Sequence, residues 1–470
     1  MIKKMGVVDS PIVKSLHTIA RNRGSRVYLV GGMVRDSLLN IPSEDFDFVV
    51  FGDVDGVALE FARSHGCSYV RYNKRLLTYR IFCKPSRIDI TEPRGSDIVE
   101  DLKKRDFSVD SIAYDPETKE LIDPLGGQED LKKRIIRINS ENAFVDDPLR
   151  ILRAFRLAAF YRFDLDATTL KFAQRDAHLL EKVSGERITD ELKQFFMINN
   201  TYAYLLLMDK AGVIDAIFED LALTNGCIQS EQHLYDVKTH SLSVYNFVEW
   251  SLVRMKKILK DAYPFYIQHY RKNRDVLLPS FKLAALFHDA AKPSCKVLTQ
   301  EGRVRFPGHE KKSAQLFLRY AERYPFGKEI FKMTRFLIEN HIEPSNIFAL
   351  HNRNQLSDEH IVDFFIRFGE NGIDLLFFAL ADTLAKGKIS ASRRGVYVDF
   401  LRFMALEYYT KIAERMRKKS VINGRELMEN LDVDVKKLSY ILENIRRMEI
   451  LGRIKSRDEA LTYARNLVDS

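Results

Sequence analysis

The chain of 470 residues has only four cysteines, Cys67, Cys83, Cys227 and Cys295. They are far apart and none form a CxxC pair, which argues against a zinc knuckle and against a disulfide framework. Reduced thiols, in the core or on the surface, are the expectation. No stretch approaches the roughly 20 apolar residues needed to cross a bilayer, and the opening MIKKMGVVDS has no apolar run of the signal-peptide kind. A cytoplasmic protein without a membrane partner is expected. Tandem repeats and low-complexity segments are also missing, which excludes solenoids and long disordered arms.

What is present fits folded globular chains, with 46% hydrophobic and 30% charged residues. The length exceeds one ordinary hydrophobic core, so two to four domains are expected. Seventy-four Lys and Arg against 65 Asp and Glu leave a formal charge of +9, which favours a polyanionic partner. The excess is modest, and motifs must identify the partner.

Arg26 to Val30 is a β-rich run that ends in Gly31-Gly32 and is followed by the helix-compatible MVRDSLLN. Strand-like runs at Asp47–Phe51, Thr78–Cys83 and Arg87–Thr91, with a helical stretch at Val57–His65, complete a small mixed α/β domain ending near Ser140. From Asp147 the periodicity turns helical, with Leu149, Leu152, Phe155, Leu157 and Ala158 on one side and Arg150, Arg153 and Arg156 at i, i+3, i+6. Almost everything beyond is helical, punctuated at Tyr263-Pro264, Pro293, Phe306-Pro307-Gly308, Tyr324-Pro325 and Glu343-Pro344. The fold class expected is α+β.

In the first constellation, Gly31 and Gly32 stand between a strand and a helix, where backbone N–H groups can approach a phosphate. In Glu44-Asp45-Phe46-Asp47, a strand puts Asp45 and Asp47 on one face. Asp89, in Arg87-Ile88-Asp89-Ile90, offers a third carboxylate. Like charges so placed repel, and a divalent cation relieves them. Three carboxylates with Mg²⁺ beside a phosphate-binding turn suit nucleotidyl transfer, in which metal ions hold the attacking hydroxyl and the leaving pyrophosphate.

These residues resemble the opening motif of the tRNA CCA-adding and bacterial poly(A) polymerase family. Four more motifs follow in order: Lys104-Arg105-Asp106-Phe107-Ser108-Val109-Asp110; Ile122-Asp123-Pro124-Leu125-Gly126-Gly127; Asp146-Asp147-Pro148-Leu149-Arg150; and Ser184-Gly185-Glu186-Arg187-Ile188. The resemblance implies a nucleotidyltransferase head of the polymerase-beta-like kind at 1–140 and a helical neck at 141–230. It implies that Gly32 and Arg35 contact the incoming nucleotide, that Asp45 and Asp47 hold Mg²⁺, and that Arg105 meets the triphosphate. Asp147 with Arg150 would read the base edge, since an acceptor and a donor can match cytosine. Arg153 and Arg156 would support them. Two positions depart from the family pattern: Asp110 replaces the usual Asn and Asp146 the usual Glu. The connection TEPRGSDIVEDLKK between Asp89 and Arg105 is also short, a feature associated in this family with adding only the two C residues.

A second constellation has the order His240, His288-Asp289, His309, His341, Asp382. Imidazole and carboxylate ligands suit a transition metal. This set resembles the HD phosphohydrolase superfamily and implies an HD-type domain at 231–405 that uses Mn, Ni, Co or Fe. The seven remaining histidines (His17, His65, His178, His233, His269, His351 and His360) are expected to be structural. The tail, 406–470, resembles the family's tRNA-body region through Val421-Ile422-Asn423-Gly424-Arg425-Glu426-Leu427 and Arg457-Asp458-Glu459-Ala460-Leu461. Met255 to Leu277, with KK, YRKNR and three tyrosines, lies outside the resemblance and is expected to be an exposed basic insertion between helices, with contact to RNA as the alternative.

The activity expected is addition of C, with A as a further candidate, to the tRNA 3′ end from CTP and ATP. A poly(A) polymerase, or an HD phosphohydrolase with an RNA-binding head, are the alternatives. The sequence sets no oligomeric state.

Overall fold

The computed structural model describes residues 10–73, 76–229, 234–387, 391–431 and 434–468; the first nine residues and His233 lie outside this set. The chain divides into two compact units, Met1–Ile198 with Leu207–Ile217, and Asn199–Leu206 with Phe218–Ser470. The first is mixed α/β and the second mostly helical, as an α+β chain requires.

A seven-stranded sheet organises the first unit. Its strands are β1 (Arg26–Val30), β2 (Asp45–Phe51), β3 (Ser68–Asn73), β4 (Leu77–Cys83), β5 (Ser86–Thr91), β6 (Ala113–Asp115) and β7 (Glu120–Ile122), in the order β3-β4-β5-β2-β1-β6-β7. Neighbours are antiparallel except β2 and β5, which run parallel with Asp45 beside Arg87 and Asp47 beside Asp89. In β2 the sequence DFDFVVF alternates, so Phe46, Phe48 and Val50 serve one face while Asp45, Asp47 and Val49 serve the other. Helices α1 (Pro11–Asn22), α2 (Gly32–Leu38), α3 (Val54–Ser64) and α4 (Ile98–Lys103) accompany the sheet. α3 lies against the first face, where Tyr79 donates its hydroxyl to Asp55. α4 covers part of the other, packing Ile98 and Leu102 on Tyr28, Val30 and Val49. Fully burying residues such as Leu102 and Val30 contributes about 1.5–3 kcal/mol each.

After α5 (Gly127–Lys133) come α6 (Leu149–Tyr161) and α7 (Gly185–Met197), which pack together. The Gly126-Gly127 motif has a steric cause: a Cβ at Gly127 would lie 2.1 Å from the Ser108 carbonyl oxygen. Asp123 accepts from the Gly127 N–H at 2.7 Å and so fixes the start of α5.

In the second unit, α8 (Val237–Val253), α9 (Tyr263–Lys272), α10 (Arg274–Phe287), α11 (His309–Arg323), α12 (Lys328–Asn340), α13 (Asp358–Phe368) and α14 (Asn371–Ala385) surround one core. α14 is buried along its whole length from Gly372 to Ala385, as an apolar helix must be at the centre of a bundle. The tail helices α15 (Val435–Leu451) and α16 (Arg457–Val468) close a smaller core of Ile422, Leu427, Ile441, Ile445 and Ile454. Arg447 of α15 donates to Asp363 of α13 at 2.7 Å.

Two expectations are corrected. Cys67 and Cys83 form a disulfide; the β3–β4 register that sets Ser68 opposite Phe82 brings the next pair together across 16 residues of sequence. Cys227 and Cys295 remain thiols. Met255–Leu277 is not an exposed insertion, because Met255, Ile258, Leu259, Tyr266 and Tyr270 are buried. Tyr266 and Tyr270 share one face of α9 at i, i+4, and that face turns inward. Strand β3 and the short strands β6 and β7 were not anticipated.

His269, expected to be structural, joins α9 to α14. Its Nε2 lies 2.9 Å from Asp374 and its Nδ1 3.2 Å from Glu370, while Tyr266 donates to Asp374 at 2.8 Å. Burial alone would lower its pKa, but the two carboxylates outweigh burial and raise it to about 10. A folded-state value above the unfolded ~6.5 gives stability that is full below pH 6.5 and lost as pH rises through 10. We expect His269→Gln to cost about 2–4 kcal/mol in denaturant unfolding at pH 7. The gap from wild type should close towards pH 10, and a gap independent of pH would contradict this.

Candidate active site and a second candidate metal centre

Gly31 takes a left-handed φ of 70° at the end of β1. A Cβ there would meet Arg105 Nη1 at 3.2 Å and Asp47 Oδ2 at 3.5 Å. Glycine therefore leaves the turn open to a ligand between these two side chains. Around it lies a cleft of about 210 Å³ lined by Gly31, Gly32, Asp47, Arg94, Arg105, Asp106, Asp110, Asp147, Leu149, Arg150, Arg153, Arg187 and Glu191. Seven of the residues expected from sequence thus meet at one place.

Asp47 is recessed in this cleft. Burial pushes its carboxyl up to about 6, with Asp89 adding to the rise and Arg105 opposing it. A carboxylate so disfavoured next to a second carboxylate is a fitting site for a divalent cation, which would favour the ionised form. Asp45 and Asp89 stand beside Asp47 on the same sheet face and hold arginines: Arg87 donates to Asp45 at 2.8 Å, and Arg80 donates to Asp89 through two bonds of 2.9 and 2.7 Å.

Behind the cleft, arginines and aspartates interlock. Arg35 is buried and does not line the cleft; it donates to Asp36 at 3.0 Å and to Asp110, and its guanidinium lies 4.5 Å from the Tyr161 ring centre. This explains the departure at 110: an anion there balances a buried guanidinium. Arg153 pairs with Asp106 at 2.9 Å, and that carboxylate holds the Arg153 pKa above its ordinary value against burial. Arg156 is also set back, paired with Glu191 of α7. Asp147 and Arg150 both line the cleft without pairing with each other. Arg187 donates to both Asp147 oxygens at 3.1 and 2.8 Å, while Arg150 reaches the Ala143 and Lys104 carbonyls at 3.4 Å.

The second unit gathers the other six expected residues. Asp289 is their hub: Oδ2 lies 3.2 Å from His288 Nε2 and 3.6 Å from His240 Nε2, and Oδ1 lies 3.2 Å from His309 Nε2 and 3.7 Å from His341 Nε2. His240 Nε2 is also 3.0 Å from Asp382. Two groups able to hold a cation, His240-His288-Asp289 and Asp289-His309-His341, therefore share one carboxylate. His288, His309 and His341 each place Nδ1 by a backbone carbonyl, of Ala285, Phe306 and Ile338, at 3.1, 2.8 and 2.8 Å. A carbonyl only accepts, so these Nδ1 atoms carry hydrogen, and in the neutral ring Nε2 keeps a lone pair facing the centre. Burial pushes His341 down to about 3, which leaves it neutral. Its Nε2 is 3.3 Å from that of His309, and Asp289 Oδ1, also buried, makes no hydrogen bond. Lone pairs and a carboxylate converging in this way fit a metal ion.

Sequence reasoning missed Arg94, Asp106, Asp110, Arg187 and Glu191 as cleft residues. Asp106, Asp110 and Arg187 fall inside the quoted motifs, which were the available signal; Arg94 and Glu191 had none. It also missed Lys292, buried and donating to Asp289 and to Gln229 at 2.6 Å each. Its signal was the spacing of one helical turn from Asp289.

Residues 27–137 match the model of the poly A polymerase head domain, and 162–224 that of a probable RNA and SrmB-binding site of polymerase A. The chain is similar to curated tRNA nucleotidyltransferases. It is 37% identical over 216 residues to a CC-adding tRNA nucleotidyltransferase of Geobacter sulfurreducens, an alignment covering 46% of this chain and 50% of the relative. Over 444 residues it is 27% identical to an A-adding tRNA nucleotidyltransferase of Deinococcus radiodurans, covering 93% and 94% of the two chains. Its fold is similar to that of the Thermotoga maritima CCA-adding enzyme complexed with tRNA, with a TM-score of 0.67, 21% identity and coverage of 99% and 98%. A CCA-adding enzyme with ATP gives 0.68 at 22% identity, covering 100% and 97%. No helix among the described residues is long and apolar enough to cross a membrane.

Loading the purified protein with Mn²⁺ and removing free ion by gel filtration should leave metal bound, by elemental analysis, that Asp289→Ala loses and Asp47→Asn keeps. Equal retention by both variants would remove the second centre from this account.

Proposed function

We propose that this chain is an RNA 3′-end nucleotidyltransferase that adds C to tRNA from CTP. The observation that carries this reading is one cleft combining Asp47, an open glycine turn and a cluster of arginines, with Asp89 beside Asp47 on the adjacent strand. In this reading Asp45, Asp47 and Asp89 hold Mg²⁺, which when bound supplies charge neutralisation for the attacking hydroxyl and the leaving pyrophosphate. Arg94, Arg105 and Arg150 face the triphosphate beside the Gly31-Gly32 turn. Asp147, oriented by Arg187, accepts from the exocyclic amine of the base while a neighbouring arginine donates to its acceptors. Arg35 and Arg156 act from behind, keeping Asp110 and Glu191 in place, and Arg153 holds Asp106 from within the cleft.

The short connection carrying Arg94 favours C addition, and the Geobacter relative bears the name of a CC-adding enzyme. Whether A follows is decided by the product. In the four-part division, a head at 1–140 and a neck at 141–230 bind the nucleotide, and the tail at 406–470 meets the tRNA body. A cytoplasmic setting accords with tRNA work. The Cys67–Cys83 bond stands against that setting, since cytosolic thiols are ordinarily kept reduced.

For the second centre we propose phosphoester hydrolysis. His240, His288, Asp289, His309, His341 and Asp382 would hold one or two ions of Mn, Ni, Co or Fe, which when bound supply a Lewis acid for a phosphoryl oxygen. Lys292 holds Asp289 in place. The two activities should separate by mutation. Asp45→Ala with Asp47→Ala should abolish nucleotide addition, measured with radiolabelled CTP, and keep RNA affinity and hydrolysis of a 2′,3′-cyclic nucleotide. Asp289→Ala should do the reverse. Substantial transfer by the double variant in Mg²⁺ would refute the head assignment, and chelator-resistant hydrolysis would refute the second.

A further inference from the structure

The sheet face that bears the carboxylates does not end at them. The strand registers align three rows across β3, β4, β5 and β2: Ser68-Phe82-Arg87-Asp45, Val70-Arg80-Asp89-Asp47 and Tyr72-Thr78-Thr91-Val49. Period-two alternation puts all twelve side chains on one face. α4 covers this face over Val49, Tyr28 and Val30, whereas its far half is open: Val70, Tyr72 and Phe82 are 44%, 41% and 43% exposed. Arg80 lies between them, its guanidinium 5.7 Å from the Tyr72 ring centre.

Three exposed apolar side chains on an edge hairpin are a liability unless something covers them. The arrangement of two aromatic rings around an arginine, continuous with metal-binding carboxylates, is that of a surface for stacked bases and their phosphates. We infer that Tyr72, Phe82 and Arg80 form a platform for the unpaired nucleotides just before the reacting 3′ end of the RNA substrate. Two to three strand spacings of ~4.8 Å separate the platform from Asp45 and Asp47, about 10–14 Å. That is the length of roughly three or four stacked nucleotides at ~3.4 Å each. The inference rests on the proposed nucleotidyl transfer and adds where the substrate's single strand lies.

The test uses the full chain and two RNA probes: a hairpin with three unpaired 3′ nucleotides, and the same hairpin cut blunt. Wild type should bind the overhanging probe more tightly, by fluorescence anisotropy. Tyr72→Ala with Phe82→Ala should weaken that binding by ten-fold or more, the scale of losing one or two stacked bases, and leave blunt-probe and CTP binding unchanged. Tyr72→Trp should retain tight binding. Both positions are exposed, and far-UV circular dichroism verifies the fold. Equal affinity of wild type for the two probes, or an unchanged overhang affinity in the Ala variants, overturns the platform. CTP incorporation by wild type, scored in parallel, separates that result from failure of the nucleotidyltransferase reading.

Discussion

The parallel pairing of β2 with β5 is the constraint on which the first unit depends. It is the one parallel contact in an otherwise antiparallel sheet, and it sets Asp47 beside Asp89. Two anions at neighbouring positions cost stability until opposite charge neutralises them. Arg80 on Asp89 and Arg105 near Asp47 neutralise them incompletely, as the raised pKa of Asp47 indicates. The cleft is thus built in a state that a divalent cation and an arginine-bound triphosphate improve together. The Arg153–Asp106 pair lines the cleft, and the buried Arg35 pairs with Asp110 in its wall.

Features fixed by local pattern were legible in the sequence. Alternation in DFDFVVF placed Asp45 and Asp47 on one face, and the strand-glycine-helix order of RVYLVGGMVRD placed the turn beside them. The register between β2 and β5 was less so, since Asp89 is 42 residues from Asp47 and only pairing brings them together. The Cys67–Cys83 bond escaped for the same reason. Arg94 carried no signal because a lone arginine in a short connection has no periodicity, and its place in the cleft comes from where α4 begins. Arg35 and Arg156 were expected at the nucleotide, but helix geometry turned them to Asp110 and Glu191. In Met255–Leu277 the lysines and arginines masked the inward stripe of Tyr266 and Tyr270.

The second unit solves a different problem with the same logic. Four histidines and two aspartates from α8, α11, α14 and the segments following α10 and α12 converge around Asp289 in a buried setting, where an unpaired carboxylate would be costly. The backbone carbonyls that fix three imidazole tautomers leave the centre rich in acceptors. A chain could satisfy such a core with fewer charges, so retaining them argues for an ion and its chemistry.

The central claim is that the cleft transfers nucleotides to the 3′ end of tRNA. Its most direct test is to incubate the protein and Mg²⁺ with a tRNA transcript lacking its terminal CCA, with CTP alone, ATP alone or both, and to sequence the 3′ ends. The account predicts C residues added from CTP to the tRNA and not to an unrelated RNA. No extension with any nucleotide, or indiscriminate A tails on both RNAs, would contradict it.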